Sequence, residues 1–235
     1  MLPTNTGGTN GTLAMGWGSG TSQFPYLITP LEALQAQARA DGSVFQWVID
    51  DYNYGLISST ARQATVCLVF LKSDSGEGYI SIAGSLGDRN NLSAWNAGDT
   101  LVNTVASNCL NTIVVVHSVG PINVEAWADN PNVKAIVWAS LPGQESGNSL
   151  VDVLYGAVNP SGRLPFTIAR NDSDYSSDVF FTPNAGNSTA PYDNFPEKLL
   201  VDYRAFNARN ITPRYEFGFG LSYTTFNVLS HHVSD

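Results

Sequence analysis

The residue in this sequence best placed to do chemistry is Glu77, in the run Ser73-Asp74-Ser75-Gly76-Glu77-Gly78-Tyr79-Ile80. A carboxyl group between two glycines has little bulk beside it, so the backbone can approach a ligand closely and take dihedrals closed to other residues. That suits an acid pushed into a cleft to transfer a proton. Tyr79 adds an amphipathic ring, a surface on which a sugar or another flat apolar patch can stack. Taken alone, the same residues also fit a solvated Gly-rich surface loop carrying ordinary acids, because Gly and Asp are standard loop residues.

The elements around this run are those that would hold a site. Thr65 to Leu71 is apolar and β-branched, and reads as a buried strand that delivers the chain to Glu77. About twenty residues then pass, Gly76, Gly78, Gly84 and Gly87 among them, before helical periodicity resumes near Leu92; a loop that long in a compact domain is usually functional or disordered. It leaves the C-terminal end of a strand, where open α/β sheets place their ligands.

Upstream, Thr29-Pro30-Leu31-Glu32 is a helix start, with Thr as N-cap, Pro at the first helical position and Glu completing a capping box. The helix is expected to stop at Gly42. Val44 to Ile49 reads as a strand and Tyr54 to Gln63 as a short helix. Downstream, Leu92, Trp95, Val102 and Val105 repeat at helical spacing and predict a helix over 92–108. Thr112 to His117 and Val133 to Ala139 read as buried parallel strands, Pro121 to Asp129 and Gly143 to Tyr155 as helices. This alternation indicates βαβ units. The expected fold class is therefore α/β, a three-layer α/β/α sandwich on a mainly parallel sheet of about five or six strands.

The longer string carries a resemblance. Ser73 to Ile80, continued by Gly87-Asp88-Arg89-Asn90-Asn91-Leu92, resembles the acid/base loop of family 3 glycoside hydrolases, in particular the fungal β-glucosidases. Gly162-Arg163-Leu164-Pro165-Phe166-Thr167 resembles that family's next strand, and Tyr215 to Phe226 the segment that closes its second domain. The resemblance implies that Glu77 is the general acid/base and that Ser19 and Tyr79 line the leaving-group subsite. It implies residues 1–28 as a loop at the active-site edge, 29–226 as the α/β-sandwich domain and 227–235 as a tail. It also implies a partner: a (β/α)8 barrel carrying the nucleophile aspartate, with a β-glucoside as substrate. Nothing in the chain resembles that barrel, its Ser-Asp-Trp motif or the trailing fibronectin-type domain of fungal relatives. No cofactor is implied.

Composition limits the partners. The 235 residues are 43% hydrophobic and only 13% charged, with a formal charge of −9 and a pI near 4.6. Such a chain is a poor match for nucleic acid or an anionic membrane. No apolar run reaches the roughly eighteen residues needed to span a bilayer. No signal peptide is visible, yet sequons at Asn10, Asn91, Asn171, Asn187 and Asn210 point to a secreted, extracellular glycoprotein. Cys67 and Cys109 make no disulfide framework and read as small buried hydrophobes. No metal site is expected, because the usual ligands do not cluster and His231-His232 reads as a chain end.

Other chemistries fit less well. A Gly-x-Ser-x-Gly elbow is absent, and His117 beside Ser118 reads as a satisfied structural histidine. Glu145 is the rival acid, and capping or packing at a helix start accounts for it. The glycines at 16, 18 and 20 lack the spacing of a dinucleotide fingerprint. The resemblance therefore implies the acid/base-bearing domain of a retaining β-glucosidase, inactive alone. The alternatives are a non-catalytic carbohydrate-binding module, which would also use Trp17 and Tyr79, or the same scaffold with β-xylosidase specificity.

Overall fold

The computed structural model of the chain describes residues 12–16, 24–76, 81–82, 85–86, 88–177 and 194–225. Its first helix, α1 (Pro30–Asp41), starts on the expected capping box: Glu32 N–H donates to Thr29 Oγ1 at 3.3 Å while Glu32 Oε2 accepts from Thr29 N–H at 2.9 Å. It stops at Gly42, whose φ of 68° is left-handed. A short helix, α2 (Tyr54–Ala61), capped by the Asn53 side chain, leads into strand β1 (Cys67–Ser73).

After β1 the chain forms a two-residue antiparallel ladder, β2 (Ser81–Ile82) with β3 (Ser85–Leu86), then α3 (Gly98–Ala106), β4 (Thr112–Ser118) and β5 (Val133–Trp138). Strands β1, β4 and β5 form a parallel sheet in that order, with Leu71 beside Val116 and Val116 beside Trp138. The central strand is closed off on both faces, and Val114, Val115 and Val116 have no exposed surface. A β-branched run is what such a strand demands.

One face of the sheet, carrying Val69, Leu71, Val114 and Val116, packs against Leu101, Val102 and Val105 of α3 and Ile57 and Ala61 of α2. Each fully buried Val or Leu there contributes about 1.5–3 kcal/mol of transfer free energy. Strand alternation turns Val115 and His117 to the opposite face. There Thr12 Oγ1 lies 3.3 Å from His117 Nδ1 and 3.3 Å from Ser146 Oγ, at the start of α4 (Ser146–Leu154). Helices therefore lie on both faces, with α1 packed on α4. That packing is close. A Cβ on Gly147 would overlap the Thr29 carbonyl and come within 2.8 Å of the Ala33 Cβ.

Behind β5, Trp138 meets Phe166 edge to face at 5.8 Å. Residues 164–168 run beside 215–219: Leu164 N–H donates to Phe219 O and Ile168 N–H to Tyr215 O, each at 2.9 Å. Arg214 fastens this strip by pairing with both Glu125 and Asp129, which holds both carboxyls below their ordinary range. The last helix, α5 (Tyr203–Arg209), buries Ala205 and Phe206.

The α/β architecture with a parallel sheet is as expected, and several elements differ. Among the described residues the sheet has three strands rather than five or six. Val44 to Ile49 is irregular backbone with no ladder partner, and Val44 is 91% exposed. The helix expected over 92–108 begins only at Gly98, because Asn96 and Ala97 take left-handed φ values of 55° and 51°. Leu92 and Ala94 are buried all the same. Pro121 to Asp129 is a series of turns, and Asn123 Oδ1 takes the Glu125 N–H at 3.0 Å, a local alternative to helix. Gly162 to Thr167 forms no strand; only the Ile168–Tyr215 bridge follows it. Gly143 to Tyr155 is helical, opening as a 3₁₀ turn over Gly143–Glu145.

Candidate active site

The polar end of the sheet is built from the last residues of β1 and β4. Ser73 and Ser118 are register partners there, with relative exposures of 0% and 2%. Asp74 follows, fully buried, one carboxylate oxygen accepting the Ser75 N–H at 2.8 Å and the other without a hydrogen-bond partner. Burial raises its pKa to about 6, with the Ser75 N–H and Lys72 opposing. Lys72 is held below its ordinary value by its own burial, against Asp51 and Asp74.

Arg89 sits across this corner. Its main-chain N–H donates to Ser75 Oγ at 3.1 Å. Its Nη1 donates to Ser73 Oγ and to Ser118 Oγ, each at 3.4 Å, and its Nη2 to the Pro121 carbonyl at 2.6 Å. Ser118 Oγ donates its own hydrogen bond to Gly120 O at 2.6 Å. Burial lowers the Arg89 pKa, and the guanidinium stays charged at any working pH.

Glu77, Tyr79 and Ser19 lie outside the described residues, as do Asn10 and Asn187. The described sequon residues Asn91, Asn171 and Asn210 are all exposed. Asn91 Oδ1 accepts the Ser93 N–H at 2.9 Å, and Asn171 Nδ2 donates to Asp174 at 3.4 Å. His117 is buried as expected, 1% exposed, edge-on to Phe70, and lowered by burial to a pKa of about 4, which keeps it neutral; it is not the satisfied histidine expected, because its Nε2 has no hydrogen-bond partner. Glu145 likewise serves packing, taking the Tyr26 hydroxyl at 2.5 Å and the Asn148 amide at 2.7 Å, and so fastens residue 26 to the start of α4. Cys67 and Cys109 are free thiols.

The Glu77 loop thus leaves from the C-terminal end of β1, one strand from the end of β4, with Asp74 and Ser75 at one foot and Arg89 at the other. The chain matches the glycosyl hydrolase family 3 C-terminal domain over residues 4–223. It belongs to glycoside hydrolase family 3. Within that family it is 55% identical over 225 residues to beta-glucosidase 1 of Aspergillus aculeatus, covering 95% of this chain and 26% of the relative. A probable beta-glucosidase A of Aspergillus niger is 54% identical, covering 93% and 25%. Among solved structures, a family 3 beta-glucosidase from Neurospora crassa superposes with a TM-score of 0.88 at 51% identity, covering 95% of this chain and 27% of that one. Beta-glucosidase 3B of Thermotoga neapolitana, solved with α-D-glucose, gives 0.68 at 28% identity, covering 93% and 34%. This family 3 domain therefore spans about a quarter of the curated relatives it matches.

In the sequence Arg89 stands only within the string that resembles the family loop, and no local pattern assigns it a role. Its one available signal was a cation in a Gly- and Asn-rich loop of a chain with 11 Lys and Arg in all. Its partners lie 14 to 32 residues away, beyond any local pattern.

Proposed function

We propose that this chain is the acid/base-bearing domain of a retaining β-glucosidase that hydrolyses terminal non-reducing β-D-glucosyl residues. The observation that carries this reading is 55% identity to a named beta-glucosidase across 95% of the chain, the Glu77 string included. The anchoring of the loop's feet at the C-terminal ends of β1 and β4 supports it, since that edge is where such sheets receive ligands.

Glu77 gives its proton to the glycosidic oxygen as the bond breaks. As carboxylate it then takes a proton from the water that frees the sugar. The second carboxyl, an aspartate nucleophile roughly 5–5.5 Å away in such enzymes, comes from the barrel of the parent polypeptide. Glu77 needs a raised pKa for the first step, and burial against the barrel supplies it by desolvation, with the Asp74 carboxylate adding like charge when ionised. Tyr79 and Ser19 line the leaving-group side. The five sequons support an extracellular location.

The test is cellobiose hydrolysis by the full-length enzyme and by its Glu77→Ala form. Loss of about 100-fold or more is expected for a general acid/base; unchanged hydrolysis removes Glu77 from the reaction. By itself the chain is expected to show no turnover, and glucose release by the purified 235-residue chain contradicts that expectation.

A further inference from the structure

We propose that Arg89 is the positioning residue of the acid/base loop, and this rests on Glu77 being the acid/base. One residue, through its guanidinium and its main-chain N–H, links the two ends of the loop to the two strands that carry it. The register-paired Ser73 and Ser118 form the last rung of β1 and β4, and Nη1 donates to both hydroxyls. Nη2 takes the Pro121 carbonyl beyond β4, and the main-chain N–H of the same residue takes Ser75 Oγ beyond β1.

The partners are unusual for a buried cation. Among the described residues the guanidinium's three partners are neutral, two hydroxyls and one carbonyl, and Asp172 and Tyr175 act on it only through space. A cation held by neutral dipoles away from water carries a desolvation penalty that a carboxylate partner would offset more directly. The gain is geometric. A planar fork with fixed donors sets the angle between its acceptors, which a lysine point charge does not. The loop enters at Ser75 and Gly76 and returns at Asp88 and Arg89, so its span is set by the Arg89–Ser75 bond. The sequence places Glu77 between those two feet, and a displacement of about 1 Å at the chemistry costs on the order of 100-fold.

The experiment compares kcat/KM of the full-length enzyme and its Arg89→Ala, Arg89→Lys and Ser75→Ala variants on two substrates. Cellobiose needs its leaving group protonated; 2,4-dinitrophenyl β-glucoside does not. Displacement of the acid predicts losses of about 10- to 100-fold on cellobiose for the Arg89 variants, with the dinitrophenyl glucoside changed by less than about threefold. Ser75→Ala, which removes a single bond to Arg89, shows the same discrimination more weakly and carries the test if Arg89→Ala does not fold. Equal losses on both substrates, or none on either, overturn the proposal. Glu77→Ala run alongside separates the two ideas. If it discriminates between the substrates and the Arg89 and Ser75 variants do not, only the positioning role fails; if it does not discriminate, the acid/base assignment fails.

Discussion

Arg89 donates its main-chain N–H to Ser75 Oγ at 3.1 Å, across a sequence separation of 14, and so closes the base of the loop that carries Glu77. The bond ties a segment leaving β1 to one returning toward α3. In Ser75→Ala the Arg89 amide loses its acceptor. Its hydrogen exchange should accelerate by about two- to tenfold, the kinetic equivalent of a hydrogen bond worth about 0.5–1.5 kcal/mol. An unchanged Arg89 amide with normal exchange elsewhere contradicts the closure.

Gly147 is required by the approach of α4 to α1. Gly147→Ala forces a methyl group onto the Thr29 carbonyl and against Ala33, and should lower unfolding free energy by about 1–3 kcal/mol. Gly162→Ala is the control, because nothing lies within 4 Å of the added carbon there. Its effect should stay within about 0.5 kcal/mol. Urea midpoints of the two variants check both values.

Two buried groups give opposite pH dependences. His117 falls from 6.5 unfolded to about 4 folded, so the unfolded chain binds more protons in that window and stability declines as pH drops from 6.5 toward 4. Asp74 rises from 3.8 to about 6, so its contribution is present below 3.8 and is lost as pH climbs through 6. Between pH 4 and 6 the two nearly cancel. Asp74→Asn removes one side of the balance, and its unfolding free energy should fall by about 2–3 kcal/mol from pH 6.5 to pH 4 while the parent stays nearly flat. Parallel pH curves for the two proteins contradict this.

Burial, reinforced by the Cys109 thiol, pushes the Cys67 thiol up to about 12, so almost no thiolate exists at pH 8. Both cysteines should stay unmodified by iodoacetamide in the native chain over an hour and react within minutes in guanidinium. Mass spectrometry of native and unfolded samples reads the difference. Rapid native alkylation of Cys67 contradicts its half-buried placement beside Cys109.

What the sequence made legible follows the range of the interactions that decide each element. Helix α1 was readable because its determinants are local: Thr29, Pro30 and Glu32 at one end and Gly42 at the other. The β4 run was readable because a strand apolar on both faces has few other places to go. Val44 to Ile49 misled because a strand also needs a neighbour, and none lies beside it among the described residues. Pro121 to Asp129 misled because Asn123 spends its side chain on the backbone, which apolar spacing does not reveal. At the site, the Glu77 string carried the family in its letters. Arg89, whose role is a matter of contacts among β1, β4 and the turn at Pro121, could not be assigned before those elements were assembled.

The most direct measurement of the central claim is the product formed by the full-length Glu77→Ala enzyme from 2,4-dinitrophenyl β-glucoside in sodium azide. With the acid/base removed, a small anion that needs no deprotonation should restore turnover and yield β-glucosyl azide, the anomer set by two inversions. Absence of rescue, with glucose still released at the parent rate, contradicts the assignment of Glu77 as the acid/base.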